Sequence, residues 1–374
     1  MNFGSRHYVP CLRWKQGEYK ALRLLSSNAR DVITPLIEVA EIGFDFETGT
    51  PAKTIDKHLA PFAKRVRENW GTQPCFVDPK HIAATPRMAN GRHPVDFVFA
   101  DLRQRGCVAV PVISLSSDAM FAQCVGRAMS ADGRGACLRL EISEAAKPTL
   151  KRSIEALLNN LVAPNECDLI FDLGAPNFEP IAGFSKAVEA LIQRVPHLNQ
   201  WRTFTLMGTA FPQSMGEIKT SPAVVPRNEW LLYKLVAARL ATLEVRVPAF
   251  GDYCINHPTL LPMDMRLLKP SGTLRYTTPT SWFLLKGPNV RDNRFDQYRG
   301  HCRAVIDSAN YSGSEFSAGD QYIAECARGT SSTGNLTTWR WVGTNHHLEM
   351  VAHDVSSFDA TSSGESQVDG APLN

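Results

Sequence analysis

Short runs of almost uninterrupted apolar residues recur along the chain. Each is followed by a stretch whose apolar positions return every three or four residues. The runs at 8–12 (YVPCL), 32–39 (VITPLIEV), 75–78 (CFVD), 108–115 (VAVPVISL), 136–142 (ACLRLEI), 167–173 (CDLIFDL), 201–207 (WRTFTLM) and 243–249 (LEVRVPA) read as strands. Helical periodicity follows them at 16–25, 52–70, 94–105, 118–129, 148–161, 180–194 and 227–240. Continuous apolar runs suit parallel strands covered on both faces, where alternating ones would suit a half-exposed sheet. Strict alternation of strand and helix requires crossover connections, and eight of them close a sheet that has no edges. An open doubly wound sheet would instead bring a glycine-rich turn after its first strand. Here that turn reads RWKQGE, with a single glycine. The pattern predicts an α/β fold, a (β/α)8 TIM-like barrel over residues 1–255.

The rhythm breaks after Asp252. Pro258, Pro262, Pro270, Pro279 and Pro288 punctuate a region with strand-like pieces at 274–277 and 282–285 and a helix at 295–308. Short ordered pieces follow at 321–326 and 338–342, so residues 256–352 read as a cap packed on the barrel. Residues 353–374 turn to Ser, Asp, Gly and Thr and read as a flexible tail.

Composition narrows the class. Of the 374 residues 44% are hydrophobic and 21% charged, an ordinary globular balance. The formal net charge of +3 is too small to indicate a dedicated nucleic-acid binder. The opening MNFGSRHYVPCLRW lacks the basic and apolar blocks of a secretory signal, and no apolar stretch reaches membrane-spanning length. The nine cysteines stand singly, with no C-x-x-C pair, so they read as reduced core thiols of a cytoplasmic protein.

Candidate chemistry sits where a barrel of this kind gathers its reactive groups, at the C-terminal ends of the strands. Lys15 lies beyond the first strand, Glu38 ends the second, and Asp78 with Lys80 ends the third. Ser114 and Ser116 follow at the fourth, Arg139 and Glu141 at the fifth, Asp172 at the sixth and Thr205 at the seventh. Asp252 and Tyr253 come after the eighth. Five carboxylates on one rim need compensation. Cations supply it (Lys15, Lys80 and Arg139), or a divalent metal does, and an oxygen-rich set with few histidines favours Mg²⁺ or Mn²⁺. A salt-bridged rim that only orders loops, a ligand-binding cluster and a metal site all remain open on this pattern. A second constellation comprises Arg275-Tyr276-Thr277, Gly319-Asp320, Trp339-Arg340 and Asn345-His346-His347. On a strand the two histidines point to opposite faces, so one of them would face a site. Such a histidine would serve as general acid or base while Arg275 or Arg340 grips an anion. His257 is a weaker candidate of the same kind. The run GTSSTG at 329–334 opens like a phosphate loop, but Asn335 stands where the lysine must be.

The opening YVPCLRWKQGEYKAL and the later ITPLIEV, FGDYCINHP, LRYT, SAGDQYI and WRWVGTNHH resemble the Beta protein family of phages and bacteria, over about residues 7–350. The matching blocks contain Lys15, Gly17, Glu18, Glu38, Asp252, Tyr253, His257, Arg275, Tyr276, Asp320, Trp339, Arg340, His346 and His347. Cys254 departs from them, standing where a small residue is expected. The resemblance implies members encoded in phages and in bacterial mobile or defence-related gene neighbourhoods, and it implies no particular reaction.

Three functions follow as expectations. The first is a hydrolase-like enzyme acting on an anionic, phosphate-bearing small molecule or nucleic-acid end. Its catalytic residues would be Glu38, Asp78, Asp172, Asp252 and His347, and its substrate-binding residues Lys15, Arg139, Tyr253, Arg275 and Arg340. The second is a non-catalytic scaffold with a protein partner in a phage or anti-phage defence assembly. The third is nucleic-acid binding through exposed Tyr298, Arg299, Trp339, Arg340 and Trp341.

Overall fold

Eight parallel strands close into a barrel in the computed structural model, which describes residues 2–82, 87–259 and 269–360. In chain order they are β1 (Tyr8–Leu12), β2 (Leu36–Glu38), β3 (Cys75–Asp78), β4 (Ala109–Ile113), β5 (Ala136–Glu141), β6 (Cys167–Asp172), β7 (Phe204–Met207) and β8 (Ala249–Asp252). The seam is the parallel pairing of β1 with β8, Tyr8 opposite Phe250 and Pro10 opposite Asp252. The strands are buried on both faces, as their continuous apolar runs require. All nine cysteines are free and buried.

The eighth strand departs from expectation. The segment LEVRVPA at 243–249 was expected to carry it, but pairing begins at Ala249; residues 243–244 form an exposed turn and 245–248 have no regular structure. Both segments offer an apolar run of similar length. The register with β1 and β7 places Phe250 in the packed layer against Tyr8 and Trp230, which Val245 and Val247 could not fill.

Beyond β8 the chain builds β9 (Ser271–Thr277) and β10 (Ser281–Asn289), an antiparallel pair. A third strand joins them, Ala223–Pro226 from the loop after β7, which pairs antiparallel with β10. The barrel's seventh loop and the cap therefore share one sheet. The pieces expected at 321–326 and 338–342 are parts of longer helices, Ala318–Arg328 and the final helix Leu336–Ser357. That final helix packs on the first helix (Gln16–Arg23) and on β1. Its far end meets Trp230 and Tyr233 of the seventh helix (Asn228–Thr242) through Phe358. It thus fills the place of a barrel's eighth helix, with residues 256–335 inserted before it. The helix also runs through the start of the expected tail, and residues 361–374 lie outside the described residues.

The first and final helices touch at Gly17. A Cβ there would lie 2.5 Å from Cγ and 2.7 Å from Cβ of Arg340, inside any normal contact. Alanine is the better helix former by roughly 1 kcal/mol. The overpacking nevertheless dominates, so Gly17→Ala should lower the unfolding free energy by about 1–3 kcal/mol. Urea unfolding checks this, and a stabilised variant would contradict the close approach.

Candidate functional site at the barrel mouth

The strand ends gather Glu38, Asp78, Arg139, Asp172 and Tyr253 at one place, and all five are buried. Arg139 is the hub. Its Nε donates to Asp172 Oδ2 at 2.8 Å, and its Nη1 donates to Glu38 Oε1 and to Asp78 Oδ2, each at 2.7 Å. Its Nη2 donates to the Tyr253 hydroxyl at 2.8 Å, and that hydroxyl donates to Asp172 Oδ2 at 2.6 Å. Lys80 Nζ reaches Glu38 Oε1 at 2.9 Å, and His81 Nε2 lies 3.6 Å from Glu38 Oε2. Turn geometry fixes two of the acids from behind. The backbone N–H of Lys80 donates to Asp78 Oδ1 at 3.0 Å, and that of Gly174 to Asp172 Oδ1 at 2.8 Å.

The charges set one another. Burial alone would raise the Glu38 carboxyl, but Arg139, His81 and Lys80 hold it well below the usual carboxylate range. Burial disfavours a charged Arg139, yet Tyr253, Asp172 and Glu38 keep it protonated more firmly than in water. Burial, reinforced by Asp172, pushes the Tyr253 phenol well up, so it stays protonated and donates. Within the protein, Arg139 and Lys80 supply cationic compensation to the rim. Arg139 occupies the centre where a divalent ion would have to bind Glu38, Asp78 and Asp172. The donors of Arg139 described above are turned to protein acceptors.

Beside this web lies a cavity of about 230 Å³. Asp78, Lys80, Ser114, Ser116, Ser117, Asp118, Arg139 and Glu141 are its polar lining. The Ser114 hydroxyl lies 3.1 Å from those of Ser116 and Ser117. Asp118 caps the helix Ala119–Asp132 by accepting from the Phe121 N–H, so that helix begins at the cavity wall. Lys80 and Glu141 were named among the strand-end candidates without a catalytic or binding role, and Ser117 and Asp118 were not candidates. Lys80 and Glu141 do lie at strand ends, so the signal was present for both. Ser117 and Asp118 were legible only as a capping sequence.

The remaining expected residues lie elsewhere. Lys15 is largely exposed and pairs with Glu41 at 3.7 Å, outside the web. Thr205 is fully buried. Asp252 and His347 are brought together, Nε2 to Oδ2 at 2.9 Å, but both are fully buried on the outer side of the barrel wall beneath the final helix. Arg340 Nη1 donates to Asn256 Oδ1 at 2.5 Å. Burial, with Arg340 nearby, pushes the Arg275 guanidinium down to about 9. Neither arginine lines the cavity. His346 and His347 share a helix rather than a strand, and both are buried, with an interior carboxylate for each. Tyr298, Trp339 and Trp341, expected to be exposed for base stacking, are buried in the cap, and Tyr298 stacks on Trp339. Among the described residues no helix is long and apolar enough to cross a membrane.

A family model described as Beta protein matches residues 8–353, nearly the whole chain. The chain belongs to the Beta protein family. A search among curated proteins finds no match for this chain. Among solved structures it is similar to a family 5 glycoside hydrolase from Prevotella bryantii B14 bound to a xyloglucan tetradecasaccharide. Identity there is 10%, with 69% of this chain and 93% of that chain covered and a TM-score of 0.34. It is also similar to an alanine racemase from Clostridium difficile 630 in complex with cycloserine. Identity is 11%, coverage 72% and 57%, and the TM-score 0.34. Neither likeness bears on the reaction; the barrel itself is read from the closed ring of strand pairings.

Proposed function

We propose that this protein is a hydrolase-like enzyme whose reaction centre is the barrel mouth, acting on a small phosphate-bearing molecule. One observation carries the reading. An ammonium group, a serine cluster and a helix N-terminus line the same cavity as three carboxylates, Asp78, Asp118 and Glu141. Among the described residues Lys80 Nζ pairs with Glu38 alone, which leaves donors for a ligand. The serine hydroxyls can donate, and the helix start adds N–H groups and a positive dipole end, a setting that suits phosphate oxygens. Asp78 is bound to Arg139 and Asp118 caps the helix, whereas Glu141 pairs with neither Arg139 nor Lys80, so Glu141 is the carboxylate placed to take a proton from an attacking water. The new P–O bond then forms as the ester P–O bond breaks, and the leaving oxygen takes a proton. The Arg139 web holds Asp78, and through the Lys80 backbone N–H it holds the lysine.

A screen of phosphate monoesters, with thermal unfolding in inorganic phosphate alongside, tests the reading. Phosphate should raise the midpoint of the wild type, and Lys80→Met should abolish the rise. Glu141→Gln should reduce kcat by about 10²-fold with little change in KM. No phosphate response and no turnover in folded wild type would sink the proposal. The alternative would then be a scaffold in a phage or defence assembly, favoured by one feature. Phe44 and Phe46, packed edge to face on a hairpin after β2, are 54% and 41% exposed and offer an apolar contact to a protein partner.

A further inference from the structure

Barrel walls and their outer helices meet through apolar layers, and this barrel breaks that pattern at one point. Along β8 and the residues after it side chains alternate, so Tyr253 enters the rim web while Asp252 and Cys254 face outward. There they meet Tyr8 of β1 and His347 of the final helix, and all four residues are buried. One donor atom each from Asp252, Cys254 and His347 lies within 4.8 Å of the others. The Tyr8 hydroxyl is 2.5 Å from Asp252 Oδ1 and 3.7 Å from Cys254 Sγ. Cys254 holds φ at 54°, a conformation that non-glycine residues rarely adopt, and this turn brings its thiol back toward Asp252.

The charge balance is unusual. Asp252 is fully buried, yet among the described residues no lysine or arginine pairs with it. Its partners are the Tyr8 hydroxyl, the Cys254 backbone N–H and the His347 ring. A buried carboxylate without a cation is costly, and a bound cation removes the cost.

We infer that Asp252, Cys254 and His347 bind one zinc-class divalent ion, with the Tyr8 oxygen beside them as a fourth donor. A thiolate sulfur, an imidazole nitrogen and a carboxylate oxygen are the donors such an ion selects, whereas Mg²⁺ and Mn²⁺ prefer oxygen alone. Binding releases the thiol proton, and the neutral His347 ring carries its proton on Nδ1 so that Nε2 is free for the ion. The ion's two positive charges then balance thiolate and carboxylate. The surrounding contacts fit. Thr277 Oγ1 lies 2.9 Å from His347 Nδ1 and would accept its proton, fixing the tautomer in which Nε2 faces the metal. The ion would join β1, β8 and the final helix across the barrel seam. It would be a closed structural site on the opposite face of the wall from the mouth cavity, and it does not depend on the reaction proposed there.

The test is metal analysis of the purified full chain, together with Co²⁺ supplied during expression and during refolding. About one zinc per chain is expected after growth with zinc, and chelation should lower the unfolding midpoint. The cobalt form should show thiolate-to-metal absorption in the near ultraviolet and intense visible bands of a four-coordinate ion. Cys254→Ser should keep the fold and lose the thiolate band, while His347→Gln should weaken the visible bands. A folded wild type without zinc and without any cobalt–thiolate band would overturn the inference and leave a hydrogen-bonded cluster. Cobalt absorption that survives Cys254→Ser would overturn it equally, since the ion would then be bound elsewhere.

Discussion

Arg139→Met is expected to lower the unfolding free energy at pH 7 by about 3–5 kcal/mol, the cost of leaving buried charges without their partner. The guanidinium serves Glu38, Asp78 and Asp172 at once, each at 2.7–2.8 Å. All of these groups are almost inaccessible to water. Methionine fills most of the volume, so lost packing accounts for little of the effect. The pH dependence identifies the cause. In the wild type the Glu38 carboxyl titrates below its unfolded value of about 4.3, so its stabilisation is present above that pH and fades as acid titrates it. In the variant burial acts with less opposition, and the native state holds protons that the unfolded chain has released. Its stability then falls as pH rises from about 4.3 toward neutrality. The gap between the two proteins should therefore be wide at pH 7 and narrower at pH 5. Urea unfolding at both values measures it, and an equal gap at both would show that Arg139 acts through packing.

Much of the barrel could be read from the chain because parallel strands announce themselves. CFVD and CDLIFD are buried on both faces, and each ends in an acid that the fold carries to the mouth. The same logic picked out Glu38, Asp78, Arg139 and Asp172 as rim residues. It could not say that Arg139 is their common partner, because a sequence does not reveal which neighbour a charge turns to. The final helix was illegible for a different reason. Buried residues run almost without break from Trp339 to Ala352, so no polar face alternates with an apolar one and no helical period appears. Gly343 sits within it because the helix crosses β9 closely, where a Cβ would meet the Arg275 carbonyl oxygen at 2.9 Å. Two adjacent histidines inside such a helix look like surface residues until the carboxylates opposite them are known.

One of those carboxylates sets the other large effect. Asp320 is fully buried and accepts from three side chains. The Tyr276 hydroxyl donates to Oδ1 at 2.7 Å, while the Ser317 hydroxyl at 2.5 Å and His346 Nδ1 at 2.7 Å both donate to Oδ2. His346 Nε2 lies 2.7 Å from the Thr277 carbonyl oxygen, so the ring is held at both nitrogens. The ring also stacks on Tyr276 at 3.9 Å. Through this cluster the helix Ala318–Arg328, β9 and the final helix share a single anchor. Asp320→Ala removes the acceptor from three buried donors and strands the His346 ring, each loss costing about 1–3 kcal/mol, so about 3–5 kcal/mol in total is expected. Asp320→Asn keeps one acceptor oxygen and should cost less. Because β9 pairs with β10, and β10 with the strand from the loop after β7, the damage should reach the barrel. Hydrogen exchange distinguishes the outcomes. Faster exchange in both the cap and β8 would mean that cap and barrel unfold as one unit. Faster exchange confined to residues 271–328 would mean that the cap opens alone and the barrel stands without it.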